Sequence, residues 1–381
     1  MAQPRLKQYF PMIRTREQVL DDIQSNILLN TKFRSLSEER QTEFIDICTG
    51  ERGVKILYNS YFKTVMDPKK YPERVKSLLE CILVKEIVSY EVLESSSFSL
   101  GDEKSLVIMD IVVEHIDGTI INLEIQKIGY DFPGERAACY ASDLTIRQYV
   151  HAKNFAAELP PENPGHRFSY RSIRPVYTIV LIEQSTAIFS KFPDTYIHRF
   201  SQMSDSGLSM NLLHHYIFIP LDIFKKTHQN GDVSTKLDAW LMFLSTDEPN
   251  KIMRLVDKFP EFLALYRHIY EICANTEDIM GIFSEALAEM DRNTVDYMID
   301  EMQKKKDQLQ SENDQLQSEN DQLQSENDQL QSENDQLQQE KDQIQQEKDQ
   351  IQQQNDQLQI ENELLKQKLY ELQNQSTSNS Q

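Results

Sequence analysis

Two stretches of alternating apolar and polar residues dominate the middle of the chain. In LVIMDIVV (106–113), Ile108, Asp110 and Val112 fall on one face of an extended strand and Met109, Ile111 and Val113 on the other. In TIINLEIQ (119–126), Ile120, Asn122, Glu124 and Gln126 share a face opposite Ile121, Leu123 and Ile125. Both runs are rich in β-branched residues, and Asp117-Gly118 between them is a hairpin signal. The loop length decides which side chains meet. A two-residue loop of Asp117 and Gly118 sets Asp110 opposite Ile125, with Asp110 and Glu124 on opposite faces. A three-residue loop, Ile116 to Gly118 with Gly118 left-handed, sets His115 opposite Thr119 and Asp110 opposite Glu124. The second register, or an equivalent bulge, is the one expected.

Elsewhere the pattern changes period. Residues 1–50 read as helical, with SLSEERQTEFIDICTG carrying a serine start signal and a glycine stop. An α/β core is expected over 51–232, interrupted by the loop ELPPENPGHR and including a further strand in HYIFIPLDIF. From 233 to 300 apolar residues recur at helical spacing, as in KLDAWLMFL and PEFLALYRHIYEI, which implies a helical subdomain with Trp240 in its core.

Residues 301–375 repeat SENDQLQ, with Leu309, Leu316, Leu323, Leu330 and Leu337 seven apart and Asn313, Asn320, Asn327 and Asn334 interleaved. Leucine at d and asparagine at a predict a C-terminal coiled coil, ahead of a polar end at 376–381. Asparagine at a favours a parallel, in-register homodimer and weakens it relative to an apolar layer. The alternative is a tail lengthened by repeat expansion, with part of it disordered as a monomer.

Chemistry enters at the first two runs. A carboxylate in an apolar strand is costly unless a cation or hydrogen bonds compensate it. Hard oxygen ligands suit Mg2+ or Mn2+. A cation held by two carboxylates and a backbone carbonyl, with positions left for water and a phosphate oxygen, is a site for phosphodiester hydrolysis. The alternative is an Asp and a Glu on the solvated face of a hairpin.

At these residues the chain resembles the PD-(D/E)XK nuclease superfamily, in the branch called the Rpn or recombination-promoting nuclease family, often labelled a transposase. The resemblance extends through YFKTVMDP (61–68), RVKSLLECIL (74–83), FPGERAACYASDLTIRQYV (132–150) and RPVYTIVLIE (174–183), and covers roughly residues 1 to 300. It implies an α/β fold with a mixed central sheet flanked by helices, and a metal-dependent DNA endonuclease. Asp110 and Glu124 would be metal ligands, helped by the carbonyl of Ile125. Gln126 would stand where relatives carry the catalytic lysine. A neutral amide in that place only hydrogen-bonds. Lys127 follows on the opposite face. Lys63 is a candidate phosphate contact, with a solvated helix charge as the alternative. Asn59 stands where relatives tend to carry an aspartate, as a lost third acid or as a helix cap. Glu80 is an extra carboxylate or an exposed helix glutamate. Arg136 and Tyr140, one helical turn apart, reach a phosphate or the Glu124 neighbourhood, or form an ordinary amphipathic pair. His115 reads as an exposed turn residue, and the adjacent His214 and His215 point to different sides.

Charge narrows the options. The formal net charge is −21 over 381 residues, and residues 301–381 hold 18 acids and 7 bases, so the body keeps an excess of about 10 negative charges. A nonspecific DNA coat is excluded, and any nucleic-acid contact is local. Candidate basic clusters are Lys69, Lys70, Arg74 and Lys76, and His166, Arg167, Arg171 and Arg174 interleaved with Phe168 and Tyr170. Cys48, Cys81, Cys139 and Cys273 lack metal spacing and read as buried thiols of a reducing cytoplasm. No leader is expected, and no apolar stretch is long enough to span a bilayer. Two functions remain open: a Mg2+-dependent DNA endonuclease acting as a dimer, and a catalytically weak relative serving as a dimeric DNA-binding or protein-interaction scaffold.

Overall fold

The computed structural model describes residues 5–93, 110–128 and 133–378. They belong to two units, Met1–Met298 and Ile299–Gln381. The run 106–109 and the end of the loop before residue 133 lie outside the described residues, as do the side chains of Asn59 and Lys127.

In the first unit a 3-10 turn at Arg5–Gln8 leads into α1 (Arg16–Ser25), α2 (Ile27–Ser35), α3 (Glu38–Thr49), α4 (Asn59–Val65) and α5 (Pro72–Leu83). The sheet and its connections follow as β1 (Tyr90–Val92), β2 (Ile111–His115), β3 (Ile120–Ile128), α6 (Pro133–Glu158), β4 (Val176–Gln184), α7 (Ala187–Ser190), β5 (His198–Phe200), β6 (His214–Pro220) and α8 (Leu221–Thr227). Then come α9 (Lys236–Ser245), α10 (Pro249–Lys258), α11 (Phe262–Ala274) and α12 (Thr276–Ser378). The sheet is mixed, in the order β1-β2-β3-β4-β6-β5. Its centre, β3-β4-β6, is parallel, and antiparallel strands border it on both sides. A parallel pair needs a crossover, and α6 provides it between β3 and β4.

Local signals set several boundaries. Ser37 caps α3 by accepting from Arg40 N, and Gly50 ends it in the left-handed region at φ 70°. HYIFIPLDIF divides at Pro220: β6 stops there, and LDIF begins α8 instead of extending the strand. Asn59 is the first residue of α4, so it is not the cap; Tyr58 occupies that position and makes no side-chain cap hydrogen bond. Between α6 and β4, ELPPENPGHR holds only a single 3-10 turn, Pro164–His166.

The two faces of the sheet are covered differently. Ile111, Val113, Ile121, Leu123, Ile179, Leu181, Ile217 and Ile219 point into one large core shared with the first five helices and with α9 to α12. Trp240 is buried there, with its indole N–H donating to Ser77 Oγ at 3.1 Å. On the opposite face α6 lays Tyr140, Ala141 and Leu144 on Val112, Ile120 and Val176, and Ala137 on Val180, Ile182 and Phe218.

In the second unit the helix is solvated on every side. Leu309, Leu316, Leu323, Leu330 and Leu337 are each more than half exposed. Side-chain bonds such as Gln345 Nε2 to Asp349 Oδ1 (2.8 Å) and Gln352 Nε2 to Asp356 Oδ1 (3.0 Å) support the single helix at i,i+4 spacing. Among the described residues no helix is long and apolar enough to cross a membrane.

The hairpin has the three-residue loop. His115 N donates to Thr119 O at 2.8 Å, Gly118 N donates to His115 O at 2.7 Å, and Gly118 sits at φ 83°. A Cβ at Gly118 would also lie 3.0 Å from Arg174 Cγ. Gly118→Val should therefore cost about 1–2 kcal/mol in denaturant unfolding, and Gly118→Asn less, because asparagine tolerates left-handed backbone.

Candidate functional site

The loop sets the register of β2 on β3, with Ile111 opposite Leu123 and Val113 opposite Ile121. Continued by one residue, the ladder sets Asp110 opposite Glu124, on the face covered by α6. Asp110 Oδ2 accepts from Ile125 N at 2.7 Å, and Asp110 N lies 3.4 Å from Glu124 Oε1. The two carboxylates are thus neighbours in a nearly dry setting: Asp110 keeps 10 % of its side-chain surface and Glu124 is 3 % exposed.

Burial first, and then the charge of Asp110, push the Glu124 carboxyl up to about 8; Asn122 and Arg136 offset only part of this. Lys63, from α4, brings its ammonium to 3.7 Å from Asp110 Oδ1. Arg136 and Tyr140, on the first turns of α6, face the same region. Arg136 Nε donates to the Tyr140 hydroxyl at 2.7 Å, and burial together with Glu124 raises the Tyr140 phenol to about 12, so it stays protonated. Gln126 is 4 % exposed, and both polar atoms of its amide lack a hydrogen-bond partner among the described residues. Leaving such atoms unpaired costs roughly 1–3 kcal/mol.

Lys63, Asp110, Glu124, Arg136 and Tyr140 therefore interact around the middle of β3, and Gln126 lies on the same face of the strand two residues beyond Glu124. Glu80 does not join them; its Oε1 accepts from Ile87 N at 3.0 Å and ties the turn after α5. His115 is buried, not exposed: the turn folds back so that Nδ1 lies 3.0 Å from Asp117 Oδ1 and Nε2 faces Val88 N at 3.4 Å. His214 bonds Thr145 Oγ1 at 2.8 Å, while His215 stacks on Tyr177 on the other face. Of the first basic cluster, Arg74 stacks on Tyr71 at 3.8 Å and binds His268, and Lys70 lies 3.6 Å from Asp67. In the second, Phe168 and Tyr170 pack with Tyr149, toward the far end of α6 from Arg136. Cys48 and Cys273 are buried, Cys81 is half-buried, and Cys139 is exposed because it lies on the solvent side of α6.

Thr178 was not singled out by the sequence pattern. It is fully buried on β4 in register with Asn122, and its hydroxyl has no partner among the described residues. Its one signal is a hydroxyl inside the apolar run VYTIVLI.

A carboxylate whose pKa is raised on folding favours the folded state at low pH and loses that contribution as pH rises from the ordinary glutamate value through about 8. With chelator present, the melting temperature should fall across this window, and Glu124→Gln should flatten the fall and melt higher than the parent at pH 8.5. Equal pH dependence in the two proteins would rule out a buried, destabilised Glu124.

Searches of curated proteins and of solved structures return no match. A family model described as PD-(D/E)XK nuclease family transposase matches residues 61–297, well over half of the chain. The matched segment runs from within α4 into α12 and contains Lys63, Asp110, Glu124, Gln126, Arg136 and Tyr140, and the chain belongs to the PD-(D/E)XK nuclease family transposases.

Proposed function

We propose that the protein is a divalent-metal-dependent DNA endonuclease that hydrolyses phosphodiester bonds, in the setting of DNA recombination or mobile elements. The observation that carries this reading is the pair of buried carboxylates, Asp110 and Glu124, set side by side with Glu124 held well above its ordinary pKa. Such a pair repels itself until a cation enters. The donors are hard oxygens, which suit Mg2+ or Mn2+, and the carbonyl of Ile125 would complete the protein's share. Among the described residues no three His, Cys, Asp or Glu side chains converge, which favours a site completed by water and a substrate phosphate oxygen. When bound, the cation would polarise the phosphoryl group and acidify a bound water.

The protein's own groups then divide the work. Asp110 is oriented by Ile125 N, and Glu124, whose carboxyl is pushed up to about 8, would have to be deprotonated to serve as a ligand. Gln126 offers a donor and an acceptor to the attacking water without taking its proton. Lys63, roughly half exposed beside Asp110, is placed to neutralise charge on the phosphate. Arg136, steadied by Tyr140, supplies a second positive charge. We place the nuclease core at 51–232, after an N-terminal helical segment (1–50) and before a helical subdomain (233–300). A coiled coil over 301–375 and a polar end complete the division we propose. Paired a and d positions in that tail support a parallel homodimer, which would bring two sites to two DNA strands. We further assign the protein to the cytoplasm.

The purified chain should nick supercoiled plasmid with Mg2+ or Mn2+. Asp110→Ala and Glu124→Ala should each lower the rate more than about a hundredfold, and Lys63→Ala about tenfold or more. No metal-dependent cleavage by the parent across a range of salt would sink the nuclease reading. That result would favour the scaffold reading, which the exposed leucine stripe of the tail supports. The full chain should sediment as a dimer, and the double variant Leu323→Lys, Leu330→Lys as a monomer; an unchanged mass would exclude pairing through the d positions.

A further inference from the structure

On the α6 face, the strand register draws two straight rows from the candidate site to the far edge of the sheet. Glu124 pairs with Val180, Val180 with Phe218, and Phe218 with His198. Alongside, Asn122 pairs with Thr178, Thr178 with Tyr216, and Tyr216 with Phe200. Neighbouring strands are about 4.8 Å apart, so Phe218 and His198 stand roughly 10 and 14 Å from Glu124.

At the end of these rows lies a groove of about 820 Å3. Its lining is largely aromatic: Phe189 and Phe192 meet His198, Phe200, Tyr216 and Phe218, with ring centroids 5.3 to 5.9 Å apart in four of the pairs. Phe192 and Phe200 remain 55 % exposed. The near wall is the first turns of α6, where Gly134, Glu135 and Ala138 face the groove, while Arg136 acts on Glu124. The groove and the site therefore flank the same end of a single helix, α6.

The charges select the occupant. Glu135 and Arg199 are the charged lining residues, and the Arg199 guanidinium donates to Ile82 O at 2.6 Å. A phosphate would meet the like charge of Glu135, and the guanidinium of Arg199 is drawn toward Ile82 O. A flat heteroaromatic ring would instead find faces and edges to stack on, with Glu135 as an acceptor for an exocyclic amine.

We propose that this groove takes an unpaired nucleobase of the substrate strand, a binding site that rests on the nuclease reading and narrows its substrate class. A span of 10 to 14 Å corresponds to about three or four nucleotides of stacked strand from the scissile phosphate. The enzyme then favours DNA whose bases are already exposed: single strands, melted segments or extrahelical nucleotides.

The test uses full-length protein carrying Asp110→Ala, and measures affinity for a fluorescent single-stranded oligonucleotide and for a blunt duplex of the same sequence. Phe192→Ala and Phe200→Ala should each weaken single-strand binding about tenfold, in line with base-aromatic stacking, and leave duplex binding within about twofold. Phe200→Tyr should restore binding, and Phe200→Leu should not. Undiminished single-strand affinity in both alanine variants would overturn the proposal. Equal rescue by leucine would also overturn it, pointing to an apolar docking site for a protein segment. The nuclease reading is judged separately, by metal-dependent nicking with the unsubstituted protein: nicking with normal binding by the groove variants removes the groove alone. A parent chain that neither binds nor cuts removes both.

Discussion

Two carboxylates placed next to each other in an apolar strand face repel one another, and neither has bulk water to screen the repulsion. The rest of this site can be understood as a response to that constraint. The left-handed Gly118 sets the register that brings Asp110 opposite Glu124. The main-chain N–H of Ile125 holds one carboxylate, and the ammonium of Lys63 approaches it from a helix 47 positions upstream. Burial and the charge of Asp110 outweigh the attraction of Arg136, so Glu124 retains its proton well above the usual range. A protein does not keep such a pair for stability, because replacing buried charge with well-packed apolar residues is often neutral or better. The arrangement is the one on which the proposed cation site rests.

The sheet separates stability from chemistry by face. One side is sealed by a continuous core that ties the N-terminal helices to those after residue 235. The other carries two smaller apolar clusters under α6, and between them the polar residues of β3 and β4 reach the interior of the face. A change to Phe243 or Tyr266 acts on folding. On the α6 face, changes to Asp110 or Glu124 act on the candidate site, whereas changes to the buried Leu144 or Val180 act on folding too.

What was legible in the sequence was local. The alternation of 110–126, the Asp-Gly turn and the Ser37 and Gly50 caps all depend on residues a few positions apart, and each has a direct steric or hydrogen-bonding cause. The meeting of Lys63 with Asp110 depends on how α4 packs, and only the family resemblance hinted at it. His115 was misread because a turn residue is ordinarily solvated, whereas here the loop bends its imidazole beneath the chain at Val88. LDIF was misread as strand because a short apolar run after a proline has no period of its own, and Pro220 turned it into a helix. The aromatic groove was invisible for a related reason: β5 and α7 are so short that no pattern marks them, and their phenylalanines become neighbours only through pairing with β6.

Both borders of the sheet are made by strands of three residues, β1 at Tyr90–Val92 and β5 at His198–Phe200. Each offers a foreign strand very few main-chain donors and acceptors, too few to extend the sheet into a neighbouring molecule. In the homodimer proposed above, local concentration would rise steeply and edge-to-edge polymerisation would become the principal hazard. Clipped borders let such a protein be crowded against itself and stay discrete.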